Sequence, residues 1–415
     1  MNQLPTNCHV MAKPSSSKCN IDCSYCFYLE KHHLYPDSSQ RQYMSFETLE
    51  LYIQQHIEAQ ASKQVVFAWQ GGEPTLLGLA FYQQAMKLQR HYGKGKEIIN
   101  TFQTNGILLD DEWCQFFKQN NFLIGISIDG PRELHDQYRR TRSGKPTHHL
   151  VEAAIDMLKR HQVDFNTLTV VSNVNVEHPE EVYGYLKQLG SQHMQFIPLV
   201  ERKAEVTTQD GLTLLHPERL EVTRVTKWSV DGEKFGLFMS TIFHHWVRAD
   251  VGRVWVQWFE NTYALTAGES PQICVFSPTC GSAFALEANG DLYACDHYVY
   301  PEFKLGNIAQ TSLSQLNQSH TNLNFAQAKQ VKLSQECRSC QYLSLCHGGC
   351  PKHRFALSNA NRAEQNYLCK GYKTFFSYSA PYFHLMKQLH EAGYPAFAIM
   401  DIIAQKEKNG VKHEV

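Results

Sequence analysis

Cys19, Cys23 and Cys26 stand in the run KCNIDCSYCFY with C-x3-C-x2-C spacing. Cubane iron–sulfur clusters are held by cysteine thiolates, normally four. Three thiolates on one short loop can hold three irons and leave the fourth open to bind and activate a second molecule. The alternative is a structural zinc loop, but zinc sites usually take four ligands in C-x2-C pairs, and no cysteine or histidine pair nearby completes one. A second dense set follows in the C-terminal third: Cys274, Cys280 and Cys295, then Cys337, Cys340, Cys346 and Cys350, then Cys369. Eight thiols are enough for two fully ligated four-iron clusters. Two zinc ribbons would use the same count, although the x5 and x14 gaps after Cys274 and Cys280 fit ribbons poorly. Asp296 directly follows Cys295, and a carboxylate beside a cluster is placed to act as a general base or to support the ligand loop by hydrogen bonding.

The elements that must position these residues are legible as an alternation. Short apolar, often β-branched runs at His9–Lys13, Val65–Trp69, Ile98–Thr104, Leu123–Asp129, Phe165–Val171 and Met194–Val200 read as buried parallel strands. Helical stretches separate them. Ser45 is placed to cap one, and Val151, Ala154, Ile155 and Leu158 repeat at helical spacing in another. This predicts an α/β fold of right-handed βαβ units around a parallel sheet, with six strands too few for a closed eight-fold barrel. Function then belongs at the C-terminal ends of the strands. The second strand runs into Gln70-Gly71-Gly72-Glu73-Pro74, where glycines let the backbone approach a neighbour closely. The next two end in Gln103-Thr104-Asn105-Gly106 and Ser127-Ile128-Asp129-Gly130, polar groups that could serve a ligand or a turn equally. Phe235–Val251 reads as a helix. The tandem histidines at 32–33, 148–149 and 244–245 cannot share a helix face and read as surface or capping residues. Cys114 reads as core.

At 415 residues the chain can build two or more cores. With 43% apolar and 19% charged residues it is an ordinary globular protein. A net charge of 39 − 40 = −1 gives no electrostatic case for nucleic acid or an anionic membrane, and no apolar run approaches a membrane span. Thirteen cysteines with no signal-peptide pattern at the N-terminus point to a reducing, cytoplasmic setting.

The three-cysteine loop, with Tyr25 before its last cysteine, resembles the radical S-adenosyl-L-methionine (SAM) enzymes, in which the open iron chelates SAM. The resemblance implies a radical SAM (β/α)6 partial barrel with the cluster loop after the first strand. It implies a SAM site lined by Tyr25, Gln70, Gly71, Gly72, Glu73, Ser127, Arg139 and Val200, with Arg140 as the neighbouring alternative to Arg139. The C-terminal pattern resembles the SPASM domain, a small cysteine-rich unit binding two auxiliary clusters. That implies Cys274, Cys280, Cys295 and Cys350 on one cluster and Cys337, Cys340, Cys346 and Cys369 on the other, three 4Fe-4S clusters in all. GGEPTL, FQTNG, S-x-DGP, LGNI and Cys-Asp-x-Tyr together resemble the anaerobic sulfatase-maturating enzymes over about Val10 to Tyr372.

That branch implies oxidation of a sulfatase cysteine or serine to Cα-formylglycine. SAM is cleaved to a 5′-deoxyadenosyl radical that removes a Cβ hydrogen, Asp296 is the catalytic base, and an auxiliary cluster takes the second electron. The implied partners are an unfolded or peptide-like sulfatase segment of C/S-x-P/A-x-R type and a flavodoxin or ferredoxin donor. Two rivals are a thioether-forming SPASM maturase and a non-catalytic iron–sulfur or zinc protein. Only eighteen residues precede Cys19, which counts against the leader-binding domain typical of the first. The expected organisation is a barrel over 1–230, a helical connection over 231–270, the SPASM domain over 271–375 and a helical segment over 376–415. The stretch 201–227 reads as an excursion near the substrate entrance.

Overall fold

The computed structural model describes residues 7–34, 43–204, 212–219 and 224–410, so part of the 201–227 excursion lies outside the described residues. Strands β1 (His9–Lys13), β2 (Gln64–Trp69), β3 (Glu97–Thr104), β4 (Phe122–Ser127), β5 (Phe165–Val171), β6 (His193–Pro198) and a short β7 (Trp255–Val256) pair in parallel, each with the next. All six expected strands are present, with ends shifted by a residue or two. The sheet also continues past β1. β8 (Ala283–Glu287) lies parallel to β1, and β9 (Asp291–Tyr293) and β10 (Lys304–Asn307) extend it antiparallel, giving one open sheet of ten strands. The first cysteine-rich strands therefore complete the barrel sheet. The cause is β1 itself: Val10 and Ala12 are fully buried, and a bare edge there would leave unpaired main-chain groups. Phe284, Ala285 and Leu286 of β8 cover it, also fully buried.

Helices fill the connections as their periodicity requires. Ser45 caps Phe46–Glu58, its Oγ accepting from Thr48 N at 3.1 Å. His148–Arg160 buries Val151, Ala154, Ile155 and Leu158, and Asp111–Gln119 buries Cys114. His148 is not a surface residue: it is packed at the start of its helix against the Tyr185 hydroxyl, 2.7 Å away. Among the described residues no helix is long and apolar enough to cross a membrane.

The helix Gly232–Ala249 turns Phe235, Phe238, Ile242 and Trp246 into the core and crosses the long helix Cys369–Glu391. The crossing is made by glycines. A Cβ on Gly371 would lie 1.9 Å from the Gly232 carbonyl oxygen, and one on Gly236 would lie 2.3 Å from the Gly371 Cα. The long helix starts on Cys369 and runs through the expected 375/376 boundary, so it anchors the last cysteine directly to the helices around the barrel.

Gly371→Ala forces these backbones apart, and overpacking of this kind costs roughly 1–3 kcal/mol. A lower midpoint in anaerobic guanidinium unfolding is expected; an unchanged midpoint would show that the helices separate freely.

Candidate active site

The loop after β1 is folded onto the end of β2 by main-chain bonds. Gly72 N donates to Ser16 O at 2.7 Å and Glu73 N to Lys18 O at 2.8 Å. A Cβ on Gly72 would sit 1.9 Å from the Lys18 carbonyl oxygen. The close approach that Gly72 allows is thus to the cysteine loop. Glu73 is buried and fully engaged from behind. Its Oε1 accepts from Thr75 N (3.1 Å), Thr75 Oγ1 (2.7 Å) and Thr104 Oγ1 (2.8 Å), and its Oε2 from Asn105 N (2.8 Å). Asn105 Nδ2 in turn donates to Asn20 Oδ1 at 2.7 Å and lies 3.7 Å from Cys19 Sγ. Glu73 therefore ties the ends of β2 and β3 together beneath the cysteines. Burial pushes the Cys19 thiol up to about 11 and raises Cys23 and Cys26 as well; the charge of Cys26 adds to the rise at Cys19, and Cys19 and Cys26 add to it at Cys23. Three thiols share one pocket, and their deprotonation requires a strongly bound cationic group.

Above them Tyr25, Asp129 and Arg139 form a buried triad. The Tyr25 hydroxyl donates to Asp129 Oδ2 at 2.6 Å, and Arg139 Nε donates to the same oxygen at 2.8 Å. The Arg139 guanidinium lies 5.6 Å from the Tyr25 ring centroid, and Val170 N donates to Asp129 Oδ1 at 3.0 Å. Arg140 instead points to solvent and reaches the Gly144 carbonyl, which separates the two adjacent arginines. Ser127 at the end of β4 and Val200 after β6 are both buried. Gln70 and Gly71, at the end of β2, are partly open.

The C-terminal cysteines fall into two sets. Cys337, Cys340, Cys346 and Cys369 line one cavity, and Gln365 Nε2 lies 3.0 Å from Cys369 Sγ. Cys274, Cys280, Cys295 and Cys350 form the other. Burial pushes the Cys280 thiol up to about 12 and raises Cys295, and in both the other cysteines of this set raise it further. Gly349 stands at φ +62° beside Cys350, and a Cβ there would lie 2.3 Å from Asn366 Nδ2. A tetrahedral zinc, with Zn–S about 2.3 Å, needs its thiols about 3.8 Å apart. Among the described residues no three Cys, His, Asp or Glu side chains converge for a single metal ion. A broad thiol-lined cavity fits a polynuclear cluster better.

Asp296 stands at the seam between barrel and cysteine-rich region. It forms an ion pair with Lys13, the last residue of β1, which is 2% exposed. Burial alone would raise the Asp296 carboxyl; Lys13, His297 and Lys352 outweigh it and hold the group below the usual carboxylate range. Lys13 also lies 4.1 Å from the Tyr28 ring centroid. Glu287, the end of β8, accepts from Ser16 Oγ at 2.7 Å and from the Tyr28 hydroxyl. Beside His297, which follows Asp296 in the chain, a cavity is walled by Phe27, Lys31, Glu201, Leu214, His297 and Tyr300. Lys352 borders it and pairs with Glu201. Lys13, Glu287, Lys352 and Glu201 were not assigned roles from sequence, and Asp129 was read only as a strand-end polar group for a ligand or a turn. Lys13 and Glu287, charges ending apolar strands where function concentrates, carried a signal that could have been read.

Matches to known families agree with this geometry. The family model described as "Radical SAM superfamily" matches residues 14–186, and "SPASM, iron-sulfur cluster-binding domain" matches 274–341. The fold and site are those of a radical SAM enzyme with a SPASM domain, an oxidoreductase class that uses iron–sulfur and SAM cofactors. A serine-type anaerobic sulfatase-maturating enzyme of Bacteroides thetaiotaomicron is 43% identical over 92% of this chain and 91% of its own. A cysteine-type enzyme of Clostridium perfringens is 33% identical over 90% and 96%. The solved structure of native anSMEcpe with bound AdoMet and Cp18Cys peptide superposes with a TM-score of 0.79 at 32% identity, covering 92% of this chain and 98% of that one. The chain belongs to the anaerobic sulfatase-maturating enzymes.

Asp129→Asn leaves the Arg139 charge buried without its partner, which typically costs roughly 3–5 kcal/mol. The expected result is a lower unfolding midpoint; an unchanged midpoint would mean that Arg139 finds another anion or water.

Proposed function

We propose that this enzyme oxidises a cysteine or serine of a peptide-like sulfatase segment, of C/S-x-P/A-x-R type, to Cα-formylglycine, with Asp296 as the base. The observation that carries this reading is the position of Asp296: paired with Lys13, next to Cys295, and followed by His297, which lines a cavity with Lys31 and Tyr300. The donor sets fit three four-iron clusters. Cys19, Cys23 and Cys26 would hold the one that binds SAM; Cys274, Cys280, Cys295 and Cys350, and Cys337, Cys340, Cys346 and Cys369, would hold the two auxiliary ones, about twelve irons in all. When bound, these clusters and SAM supply the abstraction of a Cβ hydrogen atom and accept the electron that remains.

The chain's own residues do the rest. Gln70, Gly71 and Gly72 present the end of β2 to SAM, with Glu73 holding that loop from below. Tyr25, Ser127, Arg139 and Val200 form the wall, Arg139 and Tyr25 oriented by Asp129. Asp296 Oδ takes the proton from the substrate thiol or hydroxyl, so loss of one hydrogen atom, one proton and one electron leaves a C=S or C=O bond. Serine gives the aldehyde directly; cysteine gives a thioaldehyde that water hydrolyses with release of hydrogen sulfide. Lys13 keeps Asp296 ionised and aimed before the proton arrives. A flavodoxin or ferredoxin is the fitting electron donor. None of the thirteen cysteines is in a disulfide, which supports a reducing, cytoplasmic setting.

Asp296→Asn preserves size but not basicity, and a general base contributes typically about 10²–10⁴-fold. Formylglycine formation should fall by that order, while iron content stays full and uncoupled 5′-deoxyadenosine still forms. Near-normal aldehyde yield would remove Asp296 from the chemistry, and iron loss in step with activity would reduce it to a support of the Cys295 loop. In parallel, Cys19→Ala should abolish 5′-deoxyadenosine while iron on the C-terminal sets persists; normal 5′-deoxyadenosine formation would contradict the assignment of the open site.

A further inference from the structure

Two buried cations lie among the C-terminal cysteines with no carboxylate beside them. Lys329, in the helix His320–Val331, is 1% exposed. Its ammonium donates to the carbonyls of Cys274 (2.8 Å) and Val275 (2.9 Å). Arg354 opens β11 (Arg354–Leu357), which pairs with β12 (Ala363–Asn366). Its Nε donates to Gly348 O (3.1 Å), its Nη1 to Lys329 O (2.6 Å), and its Nη2 to His347 O (2.9 Å) and Gly349 O (3.4 Å). Every acceptor is a neutral main-chain carbonyl, and among the described residues neither cation has an acidic side chain in ion-pair range. Lys352, by contrast, is buried against Glu201 and Lys13 against Asp296.

A buried charge without a counter-charge is strongly destabilising, so the negative charge must come from what these residues do face. Lys329 bonds the main chain at Cys274 and Val275; burial lowers it, and the charges of Cys280, Cys350 and Cys274, all of one set, oppose that fall. Arg354 bonds the main chain at Gly348 and Gly349, between Cys346 of one set and Cys350 of the other; burial lowers it, and the charges of Cys337, Cys280, Cys350 and Cys346 oppose that fall. A thiolate-ligated cluster is anionic and gains one more negative charge on reduction. Net charge and hydrogen bonding around a cluster set its potential, and a fixed cation in a low-dielectric site favours the reduced form.

We propose that Lys329 and Arg354 are the counter-cations of the two auxiliary clusters. Lys329 would raise the reduction potential of the one held by Cys274, Cys280, Cys295 and Cys350. This rests on the iron–sulfur reading of the eight C-terminal cysteines. It adds a distinction between them: the set next to Asp296 has two buried cations, whereas the outer set has Arg354 and the exposed Lys373.

The test is an EPR-monitored redox titration of the full-length chain, reconstituted anaerobically, in a Cys19→Ala, Cys23→Ala, Cys26→Ala background so that only the C-terminal clusters contribute. Iron is counted in the same samples. The parent should hold about eight irons; a parent without them would overturn both the proposal and the reading beneath it. Lys329→Gln keeps a hydrogen-bond donor and removes the charge, and should move the higher-potential signal to more negative values at unchanged iron. Lys329→Arg should titrate like the parent. An iron-replete Lys329→Gln with parental potentials overturns the proposal. Should Lys329→Gln lose half the iron while Lys329→Arg keeps it, the need for charge is supported in another form. Equal iron loss in both variants would mean a packing role and would also overturn it.

Discussion

The parallel pairing of β8 with β1 is the constraint on which the rest of the molecule depends. β1 delivers Lys13 and then the three-cysteine loop; β8 delivers Glu287 and then, through β9, Cys295 and Asp296. With His9 through Lys13 in register with Ala283 through Glu287, the two chain segments that carry the reactive groups must end side by side. Lys13 can then reach Asp296, while Ser16 and Tyr28 of the cysteine loop reach Glu287. Two cofactor-bearing regions of the sequence are thereby held at one mouth by main-chain hydrogen bonds, which resist displacement better than side-chain contacts would.

Charge burial is the second theme, and it explains which polar residues are where. Buried anions and cations are tolerated when paired and hydrogen-bonded. Asp129 with Arg139, Asp296 with Lys13 and Glu201 with Lys352 meet that condition within the chain. Glu73 meets it through four donors and no cation. The buried thiols around Cys23 and Cys295 are protonated by their surroundings unless a cationic group replaces the proton. The interior is built for iron.

Much of this was legible in the sequence because the carriers are local. Cysteine spacing, the β-branched runs of the six strands, the Ser45 cap and the Val151–Leu158 periodicity are each written within a few adjacent residues. What was not legible depends on distant chain segments meeting. Lys352 and Glu201 are 151 residues apart, and nothing near either predicts the other. The continuation of the barrel sheet into β8 through β10 could not be read, because a short apolar strand does not announce its partner. Gly72 and Glu73 were read as facing a ligand; that they also bind the cysteine loop and the end of β3 is a contact between distant segments that GGEP does not announce. His148 read as surface or capping by its tandem with His149; it does open its helix, but tertiary packing buries it.

The claim that joins these parts is that one mouth, shared by the three-cysteine loop and Asp296, oxidises a single peptide side chain. Its most direct measurement is anaerobic incubation of the iron-replete enzyme with SAM, a low-potential reductant and peptides of C-x-P-x-R and S-x-A-x-R type, read by mass spectrometry with hydrazine trapping. The account predicts conversion of the target residue in at least one peptide to a trappable aldehyde, with 5′-deoxyadenosine formed alongside it. Robust SAM cleavage with both peptides intact, or a thioether crosslink in place of an aldehyde, would contradict it.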